Sequence, residues 1–307
     1  MDEIEARVRE MIRASDIPAE VAAALQDSLR YSIRMHTALA SDDELALGVT
    51  KIGGQPDLPQ DTPWPEWRAS PLNFLAQIRL ADITAYDPEG ELPHEGMLSF
   101  FLDYTNWAKP GRDAEGSLAK VLYVPEGKPL HRLVWPDVLD VRERYAPLVI
   151  ASFSRELTAP ESDGPFIERF GYSLQWLYWP DELLPEGSYE AAVIARRIGD
   201  LMLSIDTYLH DAYDSRGWVH RLLGYGDGIQ GGVEFGWQSL AQQIAATESE
   251  PPAFSAIQEA DWRLLLQVDS DENGMTWGDV GRIYYGLPRQ ALAARDFGQT
   301  IAELQCT

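Results

Sequence analysis

The chain has 307 residues, enough for one large domain or two ordinary ones, and its 45% hydrophobic share predicts a sizeable core and excludes a largely disordered chain. Against 49 Asp and Glu stand only 25 Lys and Arg, a net charge of −24, which excludes a nucleic-acid binder and a protein docked on an anionic membrane, since both need cations to meet phosphates. The same negative field fits a basic protein partner.

Cys306 is the single cysteine, so no intramolecular disulfide can form and no cysteine-built zinc site is expected. No apolar run approaches the roughly 20 residues of a membrane span. Met1-Asp2-Glu3-Ile4-Glu5 lacks the basic and apolar regions of a signal peptide, so the expected location is cytoplasmic.

Residues 1–47 are predicted to form a helical segment packed on the main domain. Ile4, Val8, Met11 and Ile12 mark one apolar face. Asp16-Ile17-Pro18 starts a second helix, whose stripe continues through Val21, Leu25, Leu29 and Ile33. The main domain is expected over 48–307. It opens on turn chemistry, Gly53-Gly54-Gln55-Pro56-Asp57-Leu58-Pro59. Strands are predicted over 72–80, 96–103 and 120–124, then over 149–153 and 173–179. Residues 188–213 carry helical periodicity, and 218–230 read as a Gly-rich loop. A helix over 237–246 follows, then strands over 262–268 and 282–285, a short helix from Pro288 to Ala294, and a tail to Thr307. Strands that cluster between helices, without strict alternation, predict an α+β fold with mainly antiparallel sheets.

Two stretches say nearly the same thing. Leu72-Asn73-Phe74-Leu75-Ala76-Gln77-Ile78 and Trp262-Arg263-Leu264-Leu265-Leu266-Gln267-Val268 are apolar strands closed by a Gln, each followed by a loop and a strand that starts with Gly. They predict two pseudo-repeated β-rich halves, about 48–180 and 181–307. Buried amides must be hydrogen-bonded. Gln77 and Gln267 therefore either tie their strands to the turns at Gly53-Gly54 and Gly224-Tyr225, or line a cleft between the halves together with His220.

These phrases, with Lys51-Ile52-Gly53-Gly54, Trp64-Pro65, Gly96-Met97-Leu98-Ser99-Phe100-Phe101, His220-Arg221-Leu222-Leu223-Gly224-Tyr225, Trp277-Gly278-Asp279-Val280-Gly281 and Leu304-Gln305-Cys306, resemble the YwqG-like family, a bacterial domain family of unknown function. The resemblance spans about residues 51–306. Gly226 departs from it, standing where the family pattern looks like Pro. The resemblance implies an α+β cytosolic domain without an accepted activity, in a context compatible with an immunity or accessory role.

Candidate chemistry is sparse. Asp269-Ser270-Asp271-Glu272-Asn273-Gly274 matches the start of a calcium loop, so Asp269, Asp271 and Asn273 are the candidate ligands of a divalent cation. Val280 stands where the closing Glu belongs, which favours an Asx-type turn instead. No other cofactor is expected. His36, His94, His131, His210 and His220 show no ligand spacing. His220 lies nearest the Gly224 loop, and His210 suits the end of a helix. Gly224-Tyr225-Gly226-Asp227-Gly228 is read as a loop needing positive φ; Asp227 would repel a phosphate there. No G-x-S-x-G elbow and no P-loop occurs. The expected function is a non-catalytic interaction module for a basic partner. The alternative is a small-molecule binder or hydrolase-like enzyme with a cleft between the halves.

Overall fold

A computed structural model describes residues 2–307 except 68–69, 104–118, 141–143, 163–165, 174, 216, 248–260 and 272–273. Its strands are β1 Arg30–Leu39, β2 Lys51–Ile52, β3 Asp57–Pro59, β4 Glu66–Trp67, β5 Ser70–Pro71, β6 Asn73–Arg79, β7 Met97–Leu102, β8 Lys120–Val124, β9 Leu130–Arg132, β10 Leu148–Thr158, β11 His220–Leu223, β12 Trp262–Asp269, β13 Arg282–Pro288 and β14 Ile301–Gln305. Ten of them form one sheet in the order β14-β13-β12-β11-β1-β10-β2-β6-β7-β8. Every neighbouring pair in it is antiparallel. The fold is α+β, as expected. Among the described residues no helix is long and apolar enough to cross a membrane.

Two N-terminal helices, α1 Glu3–Ala14 and α2 Ala19–Ser28, follow the predicted apolar stripe, burying Val8, Ile12, Val21 and Leu25. Asp2 caps α1 by accepting from the Glu5 amide at 2.7 Å. The helical reading stops being correct after Ser28. Residues 30–39 are a central strand, and Ile33 lies opposite Arg155 and Leu222. The Ser-Ile-Arg-Met-His sequence alternates polar and apolar side chains. With a ladder available on both sides of it, that two-residue period prevails over the three-four spacing of Leu25, Leu29 and Ile33.

Three further expectations are corrected. Residues 175–178 are one helical turn, held where Arg196 donates to the Trp176 carbonyl at 3.0 Å. Residues 220–223 are a strand inside the predicted loop, and residues 301–305 of the predicted tail pair with β13. Elements this short have little periodicity of their own and form because a partner edge is present.

Outward from the β1–β10 pair the sheet reads alike in both directions. One arm runs β11, β12, β13, β14 and the other β2, β6, β7, β8. Both long inner strands carry a register shift at the corresponding place, after Phe74 and after Leu264. The arms curl toward each other. Phe100 on β7 meets Tyr285 on β13 edge to face at 5.2 Å, and Tyr145 meets Trp277 at the same distance. Ile33, Met35, Ile78, Leu98, Leu266 and Ile283 fill the space between the two arms and belong to one core cluster. A second cluster joins α1, α2 and the long helix Tyr189–Ala212 to Leu157 at the end of β10. The helix Val233–Thr247 covers the outer face of β12–β14 through Trp237, Trp262, Tyr284 and Ile301.

Each arm's first strand ends in two left-handed residues. They are Gly53 (φ 71°) and Gly54 (φ 72°) after β2, and Leu223 (φ 58°) and Gly224 (φ 70°) at the end of β11. A Cβ at Gly224 would stand 2.8 Å from the Ser32 Cβ, so this site needs Gly both for its φ and for its close approach to β1. Gly224→Ala is expected to cost about 1–3 kcal/mol, read as a lower urea midpoint. An unchanged midpoint would show that β1 yields freely here.

Candidate functional site

The two glutamines sit in matching networks. Gln77 accepts from the Asp57 amide at 2.8 Å and donates to the Val49 carbonyl and the Asp57 carboxylate, both at 2.8 Å. Gln267 accepts from the Asp227 amide at 2.9 Å and donates to the Val219 carbonyl at 2.9 Å and the Asp227 carboxylate at 3.1 Å. Both are fully buried. They tie β6 and β12 to the segments that flank β2 and β11, beyond the glycine turns named as partners from the sequence. A cation completes each network. Lys51 and Arg132 approach Asp57, and Arg221 and Arg282 approach Asp227.

His220 is buried too. Its Nδ1 accepts from the Asp269 amide at 3.2 Å, which leaves Nε2 to donate to the Asp271 carboxylate at 3.0 Å. Asp271 also accepts from Thr37, and Asp269 accepts from the Val219 amide and from Arg282 Nε, each at 2.9 Å. Asn273 lies outside the described residues. Among the described residues no group of three or more His, Cys, Asp or Glu is arranged to hold a metal.

The open site lies elsewhere, on the outer face of the sheet. A cavity of about 260 Å3 is bounded by the C-terminal end of β10, by β11 and β13, by the 225–228 loop and by the long helix. Glu156 and Thr158 come from the first half of the chain. Arg221, Asp227 and Arg282 come from the second, and the helix adds Asp206 and His210. Neither Gln77, Gln267 nor His220 lines it, although Asp227, the partner of Gln267, does. The 225–228 loop reaches the cavity through small residues. Gly226 and Gly228 have ordinary φ but stand where a Cβ would meet Tyr284 and the Glu161 carboxylate. Close approach, and not positive φ, is therefore what these two positions require.

Charge is distributed unevenly across this cavity. Arg221 Nη1 stands 3.1 Å from Asp227. Tyr284 and Arg282 donate to the Asp227 carbonyl at 2.6 and 2.9 Å. Burial pushes the Asp227 carboxyl up, but the charges of Arg221 and Arg282 and the Gln267 amide outweigh it and hold the group below the usual carboxylate range. Glu156 goes the other way: burial raises it more than Arg221 and Arg34, the latter 3.7 Å away, can lower it. His210 Nε2 lies 3.7 Å from Asp206 and 4.0 Å from Asp227. Tyr213 accepts from the Leu157 amide at 2.8 Å, and burial pushes its hydroxyl up to about 12. Glu161 is engaged at the rim, accepting from the Gly228 amide at 2.6 Å and the Val233 amide at 3.3 Å.

Sequence reasoning found Asp227 and His210 without joining them, and missed Glu156, Arg221 and Arg282. A signal for Glu156 was present. Ser152, Ser154, Glu156 and Thr158 alternate on β10, as Ser32, Arg34 and His36 do on β1, and Ser32 lies opposite Glu156 in the register. Polar alternation along two central strands marks a sheet face that is not simply core.

No curated protein matches the chain. A family model described as Domain of unknown function (DUF1963) matches residues 50–306, which takes in both arms of the sheet and every residue of the cavity, and the chain belongs to that family.

Proposed function

We propose that the protein is a binding protein for a small polar ligand that carries a positive charge, held in the cavity of Glu156, Asp206, His210 and Asp227. The observation that carries this reading is the charge of the lining. Four carboxylates, Glu156, Glu161, Asp206 and Asp227, face two arginines, and both arginines are already engaged by Asp227. Burial has made Glu156 costly to ionise, so a cation arriving beside it relieves that cost. A volume of about 260 Å3 suits an amine or guanidine of a few heavy atoms. The step assigned is binding, without a chemical transformation.

A second reading is favoured by the net charge of −24: the cation is a Lys or Arg side chain of a basic partner protein. It accords with the resemblance to the YwqG-like family and with an immunity or accessory role in the cytoplasm. Thermal unfolding with 1,4-diaminobutane or agmatine separates the two. A rise in Tm of the native protein, lost in Glu156→Gln and reduced in Asp206→Asn, supports the small-ligand reading. No rise with either amine removes it, and salt-sensitive capture of a basic protein then supports the second.

A further inference from the structure

A second cavity, of about 860 Å3, shares no lining residue with the first. Five arginines line it. Arg30 opens β1, Arg169 lies in the turn Ile167–Phe170, Arg263 is on β12, Arg289 opens the short helix Arg289–Ala294, and Arg295 caps its C-terminal end. The carboxylates in the lining are Asp27, Glu91 and Asp261. One fifth of all Lys and Arg in a chain of net charge −24 therefore converge on a single cavity. Such convergence is unfavourable by itself, because like charges repel and cationic side chains elsewhere on this molecule have an abundance of carboxylates to meet. Among the described residues Arg30, Arg289 and Arg295 take part in no ion pair. Arg30 instead lies 4.2 Å over the ring of Tyr225, which steadies its guanidinium without neutralising it.

We propose that this cavity is a binding site for a small, multiply charged oxyanion, a phosphate ester or a polycarboxylate. Guanidinium forks match both groups bidentately. Five arginines from four separate segments can surround a ligand with several anionic groups, and the volume exceeds what one phosphate fills. Ala24, Leu292 and Ala293 supply an apolar wall for the carbon part of such a ligand. The negative field of the rest of the molecule disfavours a long polyanion, so the ligand is a small molecule.

Calorimetric titration of the full chain at low salt with tripolyphosphate, and separately with citrate, tests the proposal. At least one of the two is expected to bind, and which one binds tells phosphate from carboxylate. Arg289 and Arg295 are exposed, so Arg289→Gln/Arg295→Gln should keep the native Tm. The double variant should bind roughly tenfold or more weakly, as expected for lost charge-assisted contacts. Arg289→Lys/Arg295→Lys, which keeps the charge but not the fork, should fall between. If neither anion binds the native chain, or if the double Gln variant binds as well as the native chain, the proposal is overturned. The first cavity serves as control: Glu156→Gln is expected to leave anion binding unchanged, so failure here and failure of the amine-binding reading are read separately.

Discussion

Asp57→Ala is expected to lower the stability of the protein by about 3–5 kcal/mol, the cost typical of leaving a buried charge without its partner. The Asp57 side chain is fully buried, as is the Lys51 side chain 3.9 Å away. Its carboxylate accepts from Arg132 Nε at 2.9 Å, from Gln77 at 2.8 Å and from the Gly48 amide at 3.0 Å. Without it, Lys51 keeps only Asp42, at 2.7 Å, and the Gln77 amide loses an acceptor inside the fold. Asp57→Asn keeps the shape and removes the charge, so it should cost less than Ala. Urea unfolding of both variants decides the matter, and a native-like midpoint for Asp57→Ala would mean the cluster contributes nothing net.

The effect has a definite pH dependence. Burial pushes the Asp57 carboxyl up, but Arg132, Gln77 and Lys51 together outweigh this and hold it below the ordinary carboxylate value. The stability it contributes is thus fully present above the unfolded-state pKa of an aspartate. It is lost as pH falls through the lower folded-state value. The gap between the native protein and Asp57→Ala should be constant around neutrality and close only in acid.

The same logic explains how much was legible in the sequence. Gln77 and Gln267 stood out because a polar residue closing an apolar strand has to be satisfied. Asp57 and Asp227 did not stand out. Each sits in a turn-like stretch where Asp is ordinary, and its role depends on Lys51, Arg132, Arg221 and Arg282 arriving from other strands. β1 was hidden for a related reason. Its apolar positions extend a helical stripe from α2, and only the two flanking strands make it extended. The cavity was hidden most deeply, because the 225–228 loop, the end of β10 and the long helix are brought together by the fold alone. The packing between the two arms was hidden as well, because Phe100 of β7 and Tyr285 of β13 meet only once the sheet has formed.

Glu303→Gln is expected to stabilise the protein at alkaline pH and to change little in acid. Glu303 lies on β14 against Gly236, where an added Cβ would collide with its carboxyl. One carboxyl oxygen accepts from Gln305 at 3.2 Å, and the other is buried without a hydrogen-bond partner. Burial therefore raises the group from its usual 4.5 to about 7, with the Gln305 amide pulling weakly the other way and Glu234 adding to the rise. Between those two values the folded state holds a proton that the unfolded chain has lost, so folding stability falls as pH rises through this window and levels off above about 7. Each pKa unit is worth about 1.4 kcal/mol, so the full cost is on the order of 3 kcal/mol, less what the partly open site recovers by hydration. A neutral Gln removes that cost while keeping an acceptor for Gln305. Urea unfolding at pH 4 and at pH 8 should show a gain of about 1–3 kcal/mol for the variant at pH 8 alone. A gain of equal size at both values would mean that shape, and not a buried charge, sets the energy of this site.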